Sequence, residues 1–398
     1  MAKRKGYKIK RYSNIYKHNR NRRIDAGGII LIVIGVLILG FIGWSVYDPV
    51  YNFLTGNMDV PSISSSEDEV ISDSSTDETE PDPTASEVEK EKEDTGYIAA
   101  NLPFETASNP ANLEKYIASV KETGCNSVVI ELKDELGNVF YKSSNEKVTA
   151  VNAAVSNAMD LKYVIDTLKK NEIKPIVKIH AFKDDKAASA MLDAAVRYKP
   201  DTKYIWADDD PNNGGKYWLN PNSAQAQEYV IAIAKEAVDM GAEAVILDSV
   251  QFPEGYSLNL CDFGSMSSKE QVLEDFMKAA ESAVSDKEAK VYFEFPLNEK
   301  YMGDNEQYGV SPLKVASKNA AVDLSADKFK SGDVNVSDFK ADTANKTALA
   351  MGEIMKNSDA RENWIVILPS NVELANVKSS YDGLKDKNVN GVMTAYNK

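Results

Sequence analysis

The chain has 398 residues, with 46 Lys and Arg against 61 Asp and Glu, a formal net charge of −15, and 43% apolar side chains. That length holds a tail plus one large domain or two medium ones, with enough apolar residues for a sizeable core. The acidic balance excludes nucleic acid as a partner of the main domain, because a polyanion would be repelled.

The charge is unevenly spread. Residues 1–25 carry ten basic residues and one acid, which leaves the rest with a net charge near −24. Residues 26–47, AGGIILIVIGVLILGFIGWSVY, are uncharged for 22 positions, enough to cross about 30 Å of hydrocarbon as a helix. Trp44 and Tyr47 stand where an interfacial belt would lie, and the basic block before the run favours a cytoplasmic N-terminus. The run is longer than the apolar region of a cleaved signal peptide, and no small-residue cleavage site follows it. The pattern predicts an uncleaved signal-anchor in the lipid bilayer, with everything after Tyr47 outside the cell. Residues 48–95 turn to Ser, Thr, Glu, Asp and Pro, most densely from Asp59, and predict a disordered, self-repelling tether.

From residue 96 to 398 short apolar runs alternate with helical periodicity. Strands are expected over 97–102, 127–132, 175–179, 244–247, 291–295, 321–324, 364–368 and 391–395, and helices over 111–122, 161–170, 187–198, 226–240 and 269–284. Eight such units in about 300 residues predict a (β/α)8 TIM barrel, with a doubly wound open sheet as the alternative. Residues 300–345, around the sixth strand, are polar and weakly periodic.

The clearest unit is 217–253. Asn220, Pro221, Asn222 and Ser223 supply helix-start signals. Tyr229, Val230, Ile233, Ala234 and Val238 recur at helical spacing, and Gly241 ends the helix. Ala244, Val245, Ile246 and Leu247 form a strand buried on both faces, and Asp248 follows at its carboxyl end, where barrels keep their chemistry.

The other strand exits are also acid-rich: Glu131, Lys133, Asp134 and Glu135 after strand two, His180 after three, Gln251 beyond four, Glu294 on five and Asp323 on six. Ser370 follows strand seven, Thr394 and Tyr396 close strand eight, and Asn101 and Glu105 follow strand one. Paired carboxylates without a nucleophilic Ser or Cys or a phosphate-cradling glycine loop suit glycoside hydrolysis. Asp248 is expected as nucleophile or water activator. Glu294, flanked by Phe293 and Phe295, is expected as the acid with a raised pKa, with Glu131 as the reserve partner. Trp206, Trp218 and Tyr217 either stack on sugar faces or pack their loop. Strand-end acids also serve as helix caps or ion-pair halves, and His180 as a hydrogen-bonded barrel-top residue. Asp208, Asp209 and Asp210 with Asn212 suit a calcium loop or, more simply, a solvated acidic turn. His18 and His180 are the only histidines, too few for a His-rich zinc site, and Cys125 and Cys261 form no disulfide framework. No metal or cofactor is expected.

These residues carry a resemblance. YWLNP followed by EYVIAIAKEAVDMGAEAVILDSVQFP is similar to the signature of a bacterial family of glycoside hydrolase-like (β/α)8 barrels, a domain of unknown function whose strand-four motif ends DYVRFP. YIAANLPFETASNPANLEKYIASVKETGCNSVVIELKDELGNVFYKS and DLKYVIDTLKKNEIKPIVKIHAFKDD resemble its first three strands. The likeness runs from Tyr97 to Pro253 and fades afterwards. It implies an extracytoplasmic barrel with a carbohydrate substrate. Asp248 matches the acid of DYVRFP, Glu131 and Asp134 match acids of the strand-two motif, and Lys133 matches its lysine. Ser249 and Gln251 stand where the family has Tyr and Arg, and loss of the arginine removes a bidentate partner. Two expectations follow: a membrane-tethered hydrolase of envelope or extracellular polysaccharide, using Asp248 with Glu294 or Glu131, or a degraded barrel that binds glycan or an envelope protein.

Overall fold

Eight apolar runs become strands β1 (Tyr97–Leu102), β2 (Ser127–Lys133), β3 (Lys174–His180), β4 (Ala244–Asp248), β5 (Lys290–Pro296), β6 (Asn319–Asp323), β7 (Asn363–Ile367) and β8 (Val389–Met393). Each pairs parallel with its neighbour, and β1 pairs with both β2 and β8, closing a barrel. The open-sheet alternative is thereby excluded. The structure, a computed structural model, describes residues 96–297, 303–324, 330–331, 334–335, 343–359, 361–370, 372–384 and 387–395. The basic tail, the apolar run 26–47, the linker to residue 95 and Tyr396 lie outside the described residues. Among those described, no helix is long and apolar enough to cross a membrane.

Outside the barrel lie α1 (Pro110–Glu122), α2 (Leu161–Lys170), α3 (Ala224–Asp239), α4 (Lys269–Val284), α5 (Thr343–Asn357) and the short α6 (Val377–Asp382). Their starts follow the local chemistry. Asn109, Asp160, Ser223 and Ser268 each accept a first-turn N–H of α1 to α4, and Pro110 opens α1, where its missing N–H is not needed.

Side chains alternate along each strand, so one set meets the helices and the other fills the barrel lumen. Tyr97, Ala99, Val129, Ile176, Ala244, Ile246, Tyr292, Ala321, Ile365, Ile367 and Met393 pack together inside. Val128, Ile130, Val177, Val245, Leu247, Phe293, Phe295 and Val322 join the outer core against the helices. Strand six, despite its polar surroundings, is in register between β5 and β7.

One expected helix is corrected. Residues 187–198 do not form it: helix spans only Asp185–Ala190, and Met191 leaves helical geometry at φ −112°, ψ 73°. The chain then pairs as β structure, Ala195 with Leu219, Arg197 with Ile205 and Asp262, and Ala207 with Tyr217. Tertiary pairing overrides a local alanine-rich helical preference here. The product is a small antiparallel layer over the exits of β3 and β4, with Val196, Trp206, Trp218 and Cys261 as its core. A second addition is the strand Val139–Tyr141, antiparallel to β2 and paired with Ala154–Met159.

Candidate active site

Strand parity decides which polar groups enter the barrel. Val129, Ile176, Ala244, Ile246 and Tyr292 point inward, so Glu131, Lys178, Asp248 and Glu294, one or two pleats nearer the carboxyl ends, point inward too. His180 follows Lys178 on the same face and is paired in register with Asp248.

Lys178 is the centre of the cluster. Its Nζ lies 2.8 Å from Asp248 Oδ2 and 2.7 Å from Glu294 Oε1. His180 Nδ1 is 3.3 Å from Asp248 Oδ2 and 3.1 Å from Ser249 Oγ, while Nε2 is 3.5 Å from Glu131 Oε1. Ser249 takes left-handed backbone at φ +55° and its N–H donates to Asp248 Oδ1. Exposure separates the three carboxylates: the Glu131 side chain is 36% exposed, that of Asp248 20%, and that of Glu294 2%.

The electrostatics follow from burial and that ammonium. Burial alone would raise the Asp248 carboxyl, but Lys178, His180 and the Ser249 N–H overrule it and hold it well below the usual carboxylate range. Glu294 goes the other way: burial, then the Asp248 charge, push it well above 4.5 against the pull of Lys178. Burial would also discharge Lys178, yet the two carboxylates keep it above the ordinary lysine value. Asp248 and Lys178 are thus each held toward their charged forms, while burial works against the charge on Glu294. Glu294 Oε2 is buried and has no hydrogen-bond partner among the described residues.

Several sequence expectations are corrected. Asp248 and Glu294 do not face each other across a sugar ring, because Lys178 bridges them and Glu294 has no access to solvent. Phe293 and Phe295 lie in the outer core, so they do not flank the Glu294 carboxyl; the lumen itself raises its pKa. Lys133 is fully buried, 2.7 Å from Asp184, and holds the exits of β2 and β3 together instead of reaching a substrate. Asp134 closes its own turn, accepting from Leu136 N, Asn138 N and Asn138 Nδ2. Gln251 is buried and accepts the Tyr308 hydroxyl at 2.8 Å, so it does not reach a substrate. Trp206 and Trp218 are buried in the small layer, with Trp218 Nε1 donating to Asp208 at 3.0 Å, so neither offers a face to a sugar. Asp209, Asp210 and Asn212 bond within their own turn, and no group of potential metal ligands occurs among the described residues. Asn101, Ser370 and Thr394 line a separate cavity of about 240 Å³ at the exits of β1, β7 and β8.

The sequence places Lys178 at the polar end of strand three, beside His180, but assigns it no role, although a signal exists. Lys178 interrupts the apolar run of β3 at an inward position, beside strands that each end in an inward acid. Glu236, on the buried side of α3, was also unread. It accepts Tyr141 OH at 2.7 Å, Ser144 N at 2.7 Å, Ser144 Oγ at 3.0 Å and Asn145 N at 3.2 Å, with Ser143 Oγ as a fifth donor.

Residues 99–295 match the family model described as "Putative glycosyl hydrolase domain". The resemblance read from the sequence is thereby shown, and it continues past Pro253 to the end of β5. Comparison with curated proteins found no match. Among solved structures, the chain is similar to a hypothetical protein from Ruminiclostridium thermocellum, with 25% identity over 49% of this chain and 96% of that one, TM-score 0.43. It is also similar to an exo-β-N-acetylglucosaminidase from Vibrio harveyi, with 12% identity over 76% of this chain and 50% of that one, TM-score 0.42. A third is Amy13B of Eubacterium rectale, with 10% identity over 75% and 65%, TM-score 0.46. The barrel itself rests on the strand pairing above.

Proposed function

We propose that the barrel hydrolyses glycosidic bonds, with Asp248 as the ionised nucleophile or water activator and Glu131 as the proton donor. One observation carries this reading. The two carboxylates are partly open to solvent on one rim and are separated by a single imidazole with contacts of 3.3 and 3.5 Å. That keeps them within the upper limit of about 9.5 Å for glycosidase carboxyl pairs. Lys178, beneath them, holds the charge of Asp248, and neither it nor the buried Glu294 touches the substrate. The substrate class is an envelope or extracellular polysaccharide, a choice that follows from the anchor read in residues 26–47 and the tether over 48–95. In this arrangement the N-terminus is cytoplasmic and the barrel lies outside the cell membrane. Resistance of the full chain to carbonate extraction, and digestion of its barrel by protease added to intact cells, test that placement.

A second reading, a barrel that binds glycan or an envelope protein without cleaving it, is favoured by the neutral Gln251–Tyr308 pair and by the lysine opposing Asp248. Screening the full chain and Asp248→Asn against cell-wall and capsular polysaccharides separates the two. Product from the parent and none from the variant supports hydrolysis. Binding unchanged by the substitution, with no product from either chain, supports the binder.

A further inference from the structure

Two large aromatic side chains stand in solvent on loops at the rim that carries Asp248: Tyr204 is 65% exposed and Tyr256 is 73% exposed. Both loops are tied down. Tyr256 lies in the segment leaving β4, between Gly255 at φ +123° and Ser257 at φ +57°. Left-handed backbone at Ser257 carries a steric cost that persists only where the surroundings impose it. Gly255 passes so close to the small antiparallel layer that an added Cβ would sit 2.4 Å from Asp208 O, and Tyr256 N donates to that same carbonyl at 2.7 Å. Asp208 is fixed in turn, its carboxylate accepting Lys216 N at 2.6 Å and Trp218 Nε1 at 3.0 Å. Tyr204 ends the turn of the same layer, where Tyr198 N donates to its carbonyl at 2.9 Å.

The layer thus buries its two tryptophans and leaves two tyrosines outside. Tyr204 is four residues from Asp208 along extended chain, at most about 13 Å, and Tyr256 hangs from the Asp208 carbonyl. Asp201, Lys203, Asp209 and Asp210, all exposed, flank Tyr204 along the chain. Isolated rings in polar surroundings do not make the contiguous apolar patch that a protein partner needs. They do match a pyranose, whose ring C–H bonds meet the electron-rich face of a phenol while its hydroxyls stay hydrated or bond the phenol OH.

We infer that Tyr256 and Tyr204 form a stacking platform for successive pyranose rings of a neutral linear glycan on the β4 side of the Asp248 site. This rests on the reading of that site as glycan-acting. The platform replaces the role that the sequence suggested for Trp206 and Trp218, and it makes this corner of the rim a determinant of chain binding rather than of bond cleavage.

The test is calorimetric titration of the full chain with cellohexaose, chitohexaose, laminarihexaose and maltohexaose, with product analysis of the same mixtures. At least one hexasaccharide binds, Tyr256→Ala weakens it about tenfold and the double Tyr204→Ala/Tyr256→Ala further, while Tyr256→Phe, which keeps the ring, restores parental affinity. Binding that the double variant leaves unchanged overturns the platform and spares the hydrolase reading. Tyrosine-dependent binding without product overturns the hydrolase reading and spares the platform. Failure of all four hexasaccharides to bind the parent overturns the platform outright.

Discussion

Lys178 and Glu294 meet at 2.7 Å inside the barrel, both side chains almost wholly withdrawn from water. The same ammonium reaches Asp248 at 2.8 Å, so one buried cation serves two acids. With all three ionised the lumen would hold an uncompensated negative charge, and burial together with the Asp248 charge pushes Glu294 toward its protonated form. This arrangement keeps Asp248 charged at the rim.

Removing the cation should therefore unfold the centre of the barrel. Breaking a buried pair by deleting one partner costs about 3–5 kcal/mol, because the other charge is left behind. Lys178→Met is expected to lose that much in urea denaturation, and Lys178→Met/Glu294→Leu to recover part of it. A Lys178→Met chain as stable as the parent would contradict the assignment.

The two acids should give stability a two-sided pH dependence. Asp248 is held below its ordinary 3.8, so its contribution is present above that pH and is lost as pH falls through the folded value. Glu294 is held above 4.5, so its contribution is complete below 4.5 and is lost as pH rises through the folded value. Urea midpoints measured across pH should decline on both sides, and Glu294→Gln should flatten the alkaline side alone.

The barrel was legible because each strand is a short apolar run bounded by polar turns, and seven of the eight runs are unmistakable even without partners. The eighth, β6, is only Asn319–Asp323, held in place by β5 and β7 more than by its own pattern. The site was half legible. A carboxylate at a strand exit is visible in the chain, and Asp248, Glu131 and His180 do come together. Burial depth is not visible: Glu294 and Lys133 look like rim residues in sequence and are sealed by ion pairs with Lys178 and Asp184. Of the two roles the sequence leaves open for the tryptophans, stacking on sugar or packing their loop, the structure shows the packing. An aromatic in a polar loop reads as exposed, but here the loop folds back on itself and makes a core of its own.

Gly137 tests the clasp between the β2 and β3 exits. Its φ is +85°, and an added Cβ would lie 1.9 Å from Asp184 Oδ1, the residue paired with Lys133. Gly137→Ala should cost at least about 1–2 kcal/mol from the left-handed backbone alone. It should also displace Asp184, which thermal melting and loss of protection at the Ala187 amide, bonded to Asp184 at 2.7 Å, would report. An alanine variant with parental melting would show that the turn is not pinned there.

Glu236 is expected to hold the turn after Tyr141 against α3. Glu236→Ala leaves the buried Tyr141 hydroxyl and the amides of Ser144 and Asn145 without their acceptor, at a cost of about 1–3 kcal/mol. Hydrogen exchange should quicken first over residues 141–145. Uniform protection in the variant would place the anchor elsewhere.

The most direct measurement is release of reducing ends from polysaccharide by the full chain, compared with Asp248→Asn and Glu131→Gln. The account predicts turnover by the parent, a loss of about 10²–10⁴-fold in each variant, and, for Glu131→Gln, partial recovery on aryl glycosides whose leaving groups need no proton. Equal turnover by the parent and Asp248→Asn would contradict it.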